Sequence, residues 1–580
     1  MAFLRNLLAT IIGLFIFSFL GFFMFAGIIA ATGQEEKPTV SENSVMTLKL
    51  SGVLQERTID DPLEEIFSDY SVRAHSLQGI LASISSAKKD HKIKGIYLNP
   101  QFLSGGYASL QEIRDALEDF KSSGKFIYGY GEYLSEGDYY LMSSADSIVL
   151  NPEGSLEFNG LSVNITFWKG MFDKLGIEPQ IFRVGEFKSY VEPFQQKEMS
   201  DANRLQLMSL LNSIYGTSLK NVSESRSIDV SELQEVSNEL KVQLPEDAVS
   251  FKLIDRLGYK DEVMQMIMKE IGEDDVDDVN FISYDRYEKT ISNDYSSNKV
   301  AVIVAQGDIV MAGDANTSIV GSKIAAEIRK ARESSSVKAI VLRVNSPGGS
   351  LTASDIIWRE VQKTKGVKPI IASMSDVAAS GGYYISMLCD TIVAQPNTIT
   401  GSIGIFGMLF NLDPFLSERI GITHDVVTTG EYSDIMTVTR NLSNYEKSVI
   451  QKGVDKGYQT FISKVAEGRG MDLQSVRKVA SGRVWSGIQA KENGLVDVLG
   501  SYEDAVTLAA EKAGISDDYR VSVYPRQQPF IQELVNRLTE EVKVRWQDPS
   551  LKVFEPYLEE MDKLNSMQGI QARLPFELQH

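Results

Sequence analysis

The sequence contains most of itself twice. Ile93-Lys94-Gly95-Ile96-Tyr97-Leu98 recurs as Val337-Lys338-Ala339-Ile340-Val341-Leu342, and Gly105-Gly106 as Gly348-Gly349. Asp146-Ser147-Ile148-Val149 answers to Asp390-Thr391-Ile392-Val393, and Gly154-Ser155 to Gly401-Ser402. Leu175-Gly176-Ile177 returns as Ile420-Gly421-Ile422, and Gly185-Glu186-Phe187 as Gly430-Glu431-Tyr432. Partners stay roughly 245 residues apart, far beyond the roughly 20–50-residue period of a solenoid, so the chain carries a duplicated domain. The copies are not equivalent. Lys188 follows Gly185-Glu186-Phe187, whereas its counterpart in the second copy is Ser433.

Each copy opens on an alternating apolar run that meets a glycine, Val45 to Val53 and Lys299 to Gly307. A helical pattern follows, then a short buried strand (Gly95 to Leu98; Ala339 to Val344), a glycine-rich loop and a second helix (Leu110 to Phe120; Ala353 to Lys363). Phe126 to Tyr130 and Pro369 to Ser373 read as the next strands. Strands alternating with helices of this length predict βαβ units and a largely parallel sheet, an α/β fold in two tandem copies. The division expected is 1–44 anchor and tether, 45–295 first copy, 296–525 second copy and 526–580 a tail outside the repeat.

A net charge of −20 argues against a nucleic-acid partner, which needs clustered Lys and Arg. The single cysteine, Cys389, allows no intrachain disulfide and sits in an apolar run. Four histidines form no zinc motif, and no metal or cofactor is expected. The N-terminus differs from the rest: no charged residue occurs from Leu7 to Thr32. At 1.5 Å per residue that segment reaches about 39 Å as a helix, enough for a hydrocarbon core of about 30 Å. It is longer than the roughly 7–15 apolar residues of a cleaved signal, which favours a retained single-pass anchor. Arg5 before it and Gln34-Glu35-Glu36 after it put the N-terminus in the cytoplasm and the remainder on the far side.

Asn345-Ser346-Pro347-Gly348-Gly349-Ser350 follows a buried strand and precedes a helix beginning near Leu351. Paired glycines there let backbone N–H groups face a carbonyl oxygen, as an oxyanion hole requires; a tight βα turn would use the same residues. Thr400-Gly401-Ser402-Ile403-Gly404-Ile405-Phe406-Gly407 sets a serine among small neighbours. A hydroxyl needs a base to become a nucleophile, and no Ser-His-Asp set is evident. A lysine serves if desolvation keeps it neutral. Lys188, among Phe182, Val184, Phe187, Tyr190, Val191 and Phe194, has such a setting, although a surface lysine lying along apolar neighbours has the same pattern. The run Ile403, Ile405, Phe406, Met408, Leu409 and Phe410 is too apolar to face water and points to assembly.

Four ordered motifs resemble the signal peptide peptidase A (protease IV) family in its long, duplicated, membrane-anchored form. They are Asn345 to Gly349, Ala378-Ala379-Ser380-Gly381-Gly382-Tyr383-Tyr384, Thr400 to Gly407, and Gly482-Arg483-Val484-Trp485-Ser486-Gly487 through Gly494-Leu495-Val496-Asp497. In the first copy Gly185 to Phe194 matches that family's lysine motif, and the likeness runs to about residue 510. The resemblance implies the spiral α/β fold shared by ClpP proteases and crotonases, with Ser402 as nucleophile, Lys188 as general base and Gly348 and Gly349 supplying the oxyanion amides. Because Ser433 replaces the second-copy lysine, the pair is expected to join the two copies. It further implies a serine endopeptidase that needs no cofactor, acts on remnant signal peptides at the periplasmic face of a bacterial inner membrane, and assembles as a homotetramer. Two other serines compete: Ser380, whose Ala-Ala-Ser-Gly-Gly setting is similar to the ClpP nucleophile, and Ser155, the repeat partner of Ser402. A crotonase-type acyl-CoA enzyme and a non-catalytic scaffold are the rival functions.

Overall fold

The computed structural model describes residues 2–32, 38–58, 73–291, 295–526 and 569–573. Runs rich in Val, Ile, Leu and Tyr form the strands, and helices covering both faces bury them on both sides. In the first half the neighbours run Asn280–Ser283, Ser44–Gln55, Ile93–Ser104, Phe126–Leu134, Ser147–Leu156 and Arg256–Leu257, every pairing parallel. In the second half Arg520–Tyr524, Lys299–Gln306, Val337–Ser346, Ile370–Ala379, Thr391–Ala394 and Val498–Leu499 repeat that order, again all parallel. The chain is thus two copies of one α/β arrangement. The helices begin where side chains cap them. Ser350 accepts from the Ala353 amide ahead of Leu351–Thr364, whose Ala353, Ile357 and Val361 recur every four residues and face the core.

A third sheet was not legible in the repeat. It runs Ser318–Val320, Asp308–Val310, Gly348–Ser350, Gly569–Arg573, Ile405–Asn411 and Glu178–Val184, drawing on both copies and on the tail. Glu178–Val184 of the first copy pairs antiparallel with Ile405–Asn411 of the second, from Glu178 opposite Asn411 to Val184 opposite Ile405. This pairing corrects one expectation. Ile403, Ile405, Phe406, Met408, Leu409 and Phe410 are all buried within the single chain. Phe172 and Phe194 pack edge-on against Phe410, and Tyr190 stacks on Phe406 with ring centres 5.2 Å apart. The apolar run therefore needs no second chain to cover it.

The copies also meet through buried charge. Arg343, on Val337–Ser346, donates to Glu112 at 2.9 and 3.1 Å and to Glu56 at 2.8 Å, and to the Ser373 and Ser375 hydroxyls at 3.0 Å each. Burial pushes the Glu112 carboxyl up and the Arg343 guanidinium pulls it back. Removing the cation leaves two carboxylates facing each other out of water. Arg343→Met is expected to cost about 3–5 kcal/mol, to be read as a fall in the denaturant midpoint; an unchanged midpoint would show that the copies do not depend on this cluster.

The apolar N-terminal segment forms one helix, Ala2–Thr32. Ile11, Leu14, Phe15, Phe17 and Leu20 on it are all more than half exposed. Its described side chains are those of residues 5, 6, 9–21 and 23. Among the described residues no helix is long and apolar enough to cross a membrane. Residues 33–37 of the expected tether and 527–568 and 574–580 of the expected tail lie outside the described residues.

Candidate active site

Ser402 follows the three-residue strand Ile399–Gly401, which pairs with Ile370–Ala379 on one side and antiparallel with Val484–Ser486 on the other. Its amide donates to the Arg483 carbonyl at 2.7 Å. Gly401 and Ser402 both have positive φ, 79° and 50°. A serine held there is strained by about 1–3 kcal/mol, and such strain collects at functional sites. The kink ends the strand and turns the hydroxyl toward the first copy.

Lys188 arrives from the other copy through the mixed sheet. Glu178–Val184 ends level with Ile405, so the turn that follows it, residues 185–188, lies beside residues 402–404. The turn is clamped by the Gly482-Arg483-Val484 motif. The Phe187 amide donates to the Ser481 carbonyl at 3.0 Å. Gln206 donates to the Phe187 carbonyl at 3.1 Å and accepts from the Val484 amide at 3.3 Å. Gly482 has φ of 80°, and a Cβ there would stand 2.7 Å from both N and Cβ of Lys188. Only a residue without a side chain lets the two segments touch.

The Lys188 amine lies 3.0 Å from Ser402 Oγ, 2.9 Å from Ser380 Oγ and 3.2 Å from the Ser402 carbonyl oxygen. It also donates to the carbonyl of Arg573. The side chain is wholly buried, not laid along the surface, and burial drives its pKa well below the ordinary 10.5. A neutral amine has two protons and one lone pair, and the lone pair accepts a serine O–H. A hydroxyl beside a buried amine whose charged form burial disfavours is the pairing that nucleophilic catalysis needs.

Gly348 and Gly349 have φ of 109° and 146°. A Cβ at Gly349 would meet the Ile309 carbonyl at 2.2 Å, so glycine is required for Gly348–Ser350 to run beside Asp308–Val310. The loop packs on Gly381, where an added Cβ would lie 3.0 Å from Gly348 Cα and 3.1 Å from Gly349 N. Ser380, one residue before, donates its amide to the Gly401 carbonyl at 2.8 Å. The glycine pair thus borders the Ser402 turn. The Gly348 amide is engaged by Ser346 Oγ at 3.2 Å in this state.

The repeat counterparts diverge. Ser155 and Ser433 are exposed. At Gly106, the partner of Gly349, the Asp376 carboxylate fills the space a Cβ would take and accepts from the Ser109 amide at 2.8 Å. One site is assembled and its duplicate is closed. Ser380, the rival serine, stands at the start of Gly381–Ser386, with φ of 55°, and touches the amine. Nothing in the sequence pointed to Gln206 or Arg573.

Residues 119–273 and 362–516 match the model for peptidase family S49, and residues 292–398 that for Clp protease. Protease 4 of Salmonella typhi is 34% identical over 534 residues, spanning 89% of this chain and 86% of its own. The chain belongs to peptidase family S49. Protease 4 of Haemophilus influenzae is 33% identical over 90% of this chain and 87% of its own. The chloroplastic serine protease SPPA of Arabidopsis thaliana is 32% identical over 92% and 78% respectively. This S49 member is a serine protease, which removes the acyl-CoA and scaffold readings. Among solved structures, a point mutant of ClpP1 from Listeria monocytogenes aligns with 36% of this chain and 95% of its own at 15% identity, with a TM-score of 0.24.

Proposed function

We propose that this S49 peptidase is a membrane-anchored endopeptidase with a Ser402/Lys188 dyad, degrading remnant signal peptides and other apolar peptides at the periplasmic face of a bacterial inner membrane. One observation carries the reading: a fully buried amine, its pKa lowered by burial alone, stands 3.0 Å from the hydroxyl of a strained serine. Lys188 takes the Ser402 proton as Oγ adds to the scissile carbonyl carbon. The oxyanion is held by the Gly348 and Gly349 amides once Ser346 releases the first. Lys188 then passes the proton to the leaving amine as the C–N bond breaks, and a water deprotonated by the same lysine hydrolyses the acyl-enzyme. Ser380 steadies the amine between these roles. In this reading 45–295 supplies the lysine and 296–525 the serine, each a ClpP/crotonase-like spiral unit, with 1–44 as anchor and tether. A fluorophosphonate probe is expected to label Ser402 and to stop hydrolysis of an apolar peptide in proportion; labelling elsewhere would overturn the assignment.

The same pseudo-symmetry supports assembly as a homotetramer. Inside one chain the first copy's Glu178–Val184 pairs with the second copy's Ile405–Asn411. Counting along the repeat, the donor's counterpart is 423–429 and the acceptor's is 158–164. Residues 423–428 and 160–164 form no strand, and Val427 is 97% exposed. Joining 423–429 of one chain to 158–164 of the next repeats the internal contact head to tail, and such a contact forms a ring where the rotation per chain closes. Light scattering on a 45–580 fragment is expected to give four chains, and Val427→Asp to give fewer; a monomeric parent fragment would sink the ring. The intact chain is expected to remain with membranes in high salt, and its release there would remove the anchor.

A further inference from the structure

Arg483 touches both halves of the site. Its carbonyl accepts the Ser402 amide at 2.7 Å. Its guanidinium carbon stands 4.1 Å from the centre of the Trp485 ring and 5.2 Å from that of Phe187, the residue before Lys188. A cation over a ring face gains attraction, but its N–H donors still lack acceptors. Nε is buried without a hydrogen-bond partner. Burial alone lowers the Arg483 pKa, and among the described residues no carboxylate offsets it. The group stays charged all the same, since a guanidinium does not lose its proton in a protein.

Carboxylates are not scarce in this chain, which has 78 acidic residues against 58 Lys and Arg. The repeat shows what the same position does in the copy without the serine. Ala248 to Asp255 answers to Ala490 to Asp497 at an offset of 242 residues, which sets Lys241 opposite Arg483 and Gln243 opposite Trp485. Lys241 is paired with both Glu235 and Glu239. The duplicate has neutralised its cation, whereas the copy that carries Ser402 keeps its cation open and holds it with rings. A desolvated donor left unpaired lowers stability, and proteins retain such departures where function needs them. A guanidinium held in place by its ring contacts presents its N–H edge to a carboxylate in two-point geometry.

We propose that Arg483 recognises a substrate carboxylate close to the scissile bond, and that the free C-terminus of an already cut peptide supplies it. The proposal rests on the Ser402/Lys188 reading. The Arg483 carbonyl holds the Ser402 amide, so its guanidinium lies within one side-chain length of the nucleophile's backbone. An endopeptidase that cuts a longer chain leaves a new terminal carboxylate on the excised fragment, so this site acts after such a cut. The test uses the full chain and an unstructured apolar peptide with a free C-terminus, its C-terminal amide, and amidated forms with Asp or Asn near the cut. The free acid is expected to show a KM about tenfold below that of the amide, a gap that salt narrows. Arg483→Met is expected to erase the gap by raising KM for the acid, and Arg483→Lys to restore part of it. An arginine that only joins the two rings would lower kcat on every peptide alike, and that result overturns the proposal. A parent enzyme that separates neither acid from amide nor Asp from Asn overturns it whether or not the variants fold. A preference for Asp over Asn without one for the free terminus overturns the chain end as the source and keeps the carboxylate site. Loss of fluorophosphonate labelling at Ser402, with hydrolysis retained, overturns the dyad instead.

Discussion

Ser402→Ala is expected to lower peptide hydrolysis by at least about 10³-fold, measured as kcat/KM on an unstructured apolar peptide. The substitution removes one oxygen from a site lined by small residues, and it relieves none of the backbone contacts that hold the turn, such as the Ser402 amide to the Arg483 carbonyl. The folded yield and thermal midpoint should match the parent. Ser380→Ala is expected to lose about 10- to 10²-fold, because it removes one of the oxygens that orient the Lys188 amine while leaving the nucleophile in place. Ser155→Ala is expected to change nothing, since that hydroxyl is exposed in the copy whose glycine loop is filled by Asp376. An active Ser402→Ala enzyme would reassign the nucleophile to Ser380.

The second large effect concerns Lys188. Its neutral form is the one that accepts a proton, so kcat/KM should rise tenfold per pH unit below the apparent pKa and level off above it. That pKa should fall well below 10.5, because burial penalises the charged amine and, among the described residues, no carboxylate is bonded to it. Lys188→Arg should be as inactive as Lys188→Met, since a guanidinium does not give up its proton in this range. The same shift has a stability sign. A lysine whose folded pKa is lowered binds fewer protons folded than unfolded, so stability rises with pH between the lowered value and 10.5. Lys188→Met should therefore be inactive and more stable near neutral pH, with a flatter pH dependence of its unfolding midpoint. An Arg variant with activity, or a profile following a group near 6.5, would dismiss the dyad.

The sequence by itself determined the duplication, the βαβ alternation with its largely parallel sheet, and the glycine loop at Gly348-Gly349 between a buried strand and a helix. These are local matters, set by apolar runs of strand length, by helix starts such as Ser350 and by positions where a Cβ has no room. The sequence also showed that Lys188 has no counterpart in the second copy, and the family motif brought Lys188 and Ser402 forward as partners. Their meeting was not local. They are 214 residues apart, and what brings them together is an antiparallel pairing between edge segments of different copies. Edge pairing depends on which backbone row is left open after each sheet has formed, and apolar patterning does not record that choice. For the same reason the apolar run from Ile403 to Phe410 read as a surface for other chains, when Glu178–Val184 and the tail strand already cover it. Ser380 in contact with the amine, Asp376 closing the duplicate loop and the Arg573 carbonyl against the Lys188 amine are likewise decisions of the tertiary structure. Each depends on which surfaces of the two copies face each other, and the residues alone carry no mark of that.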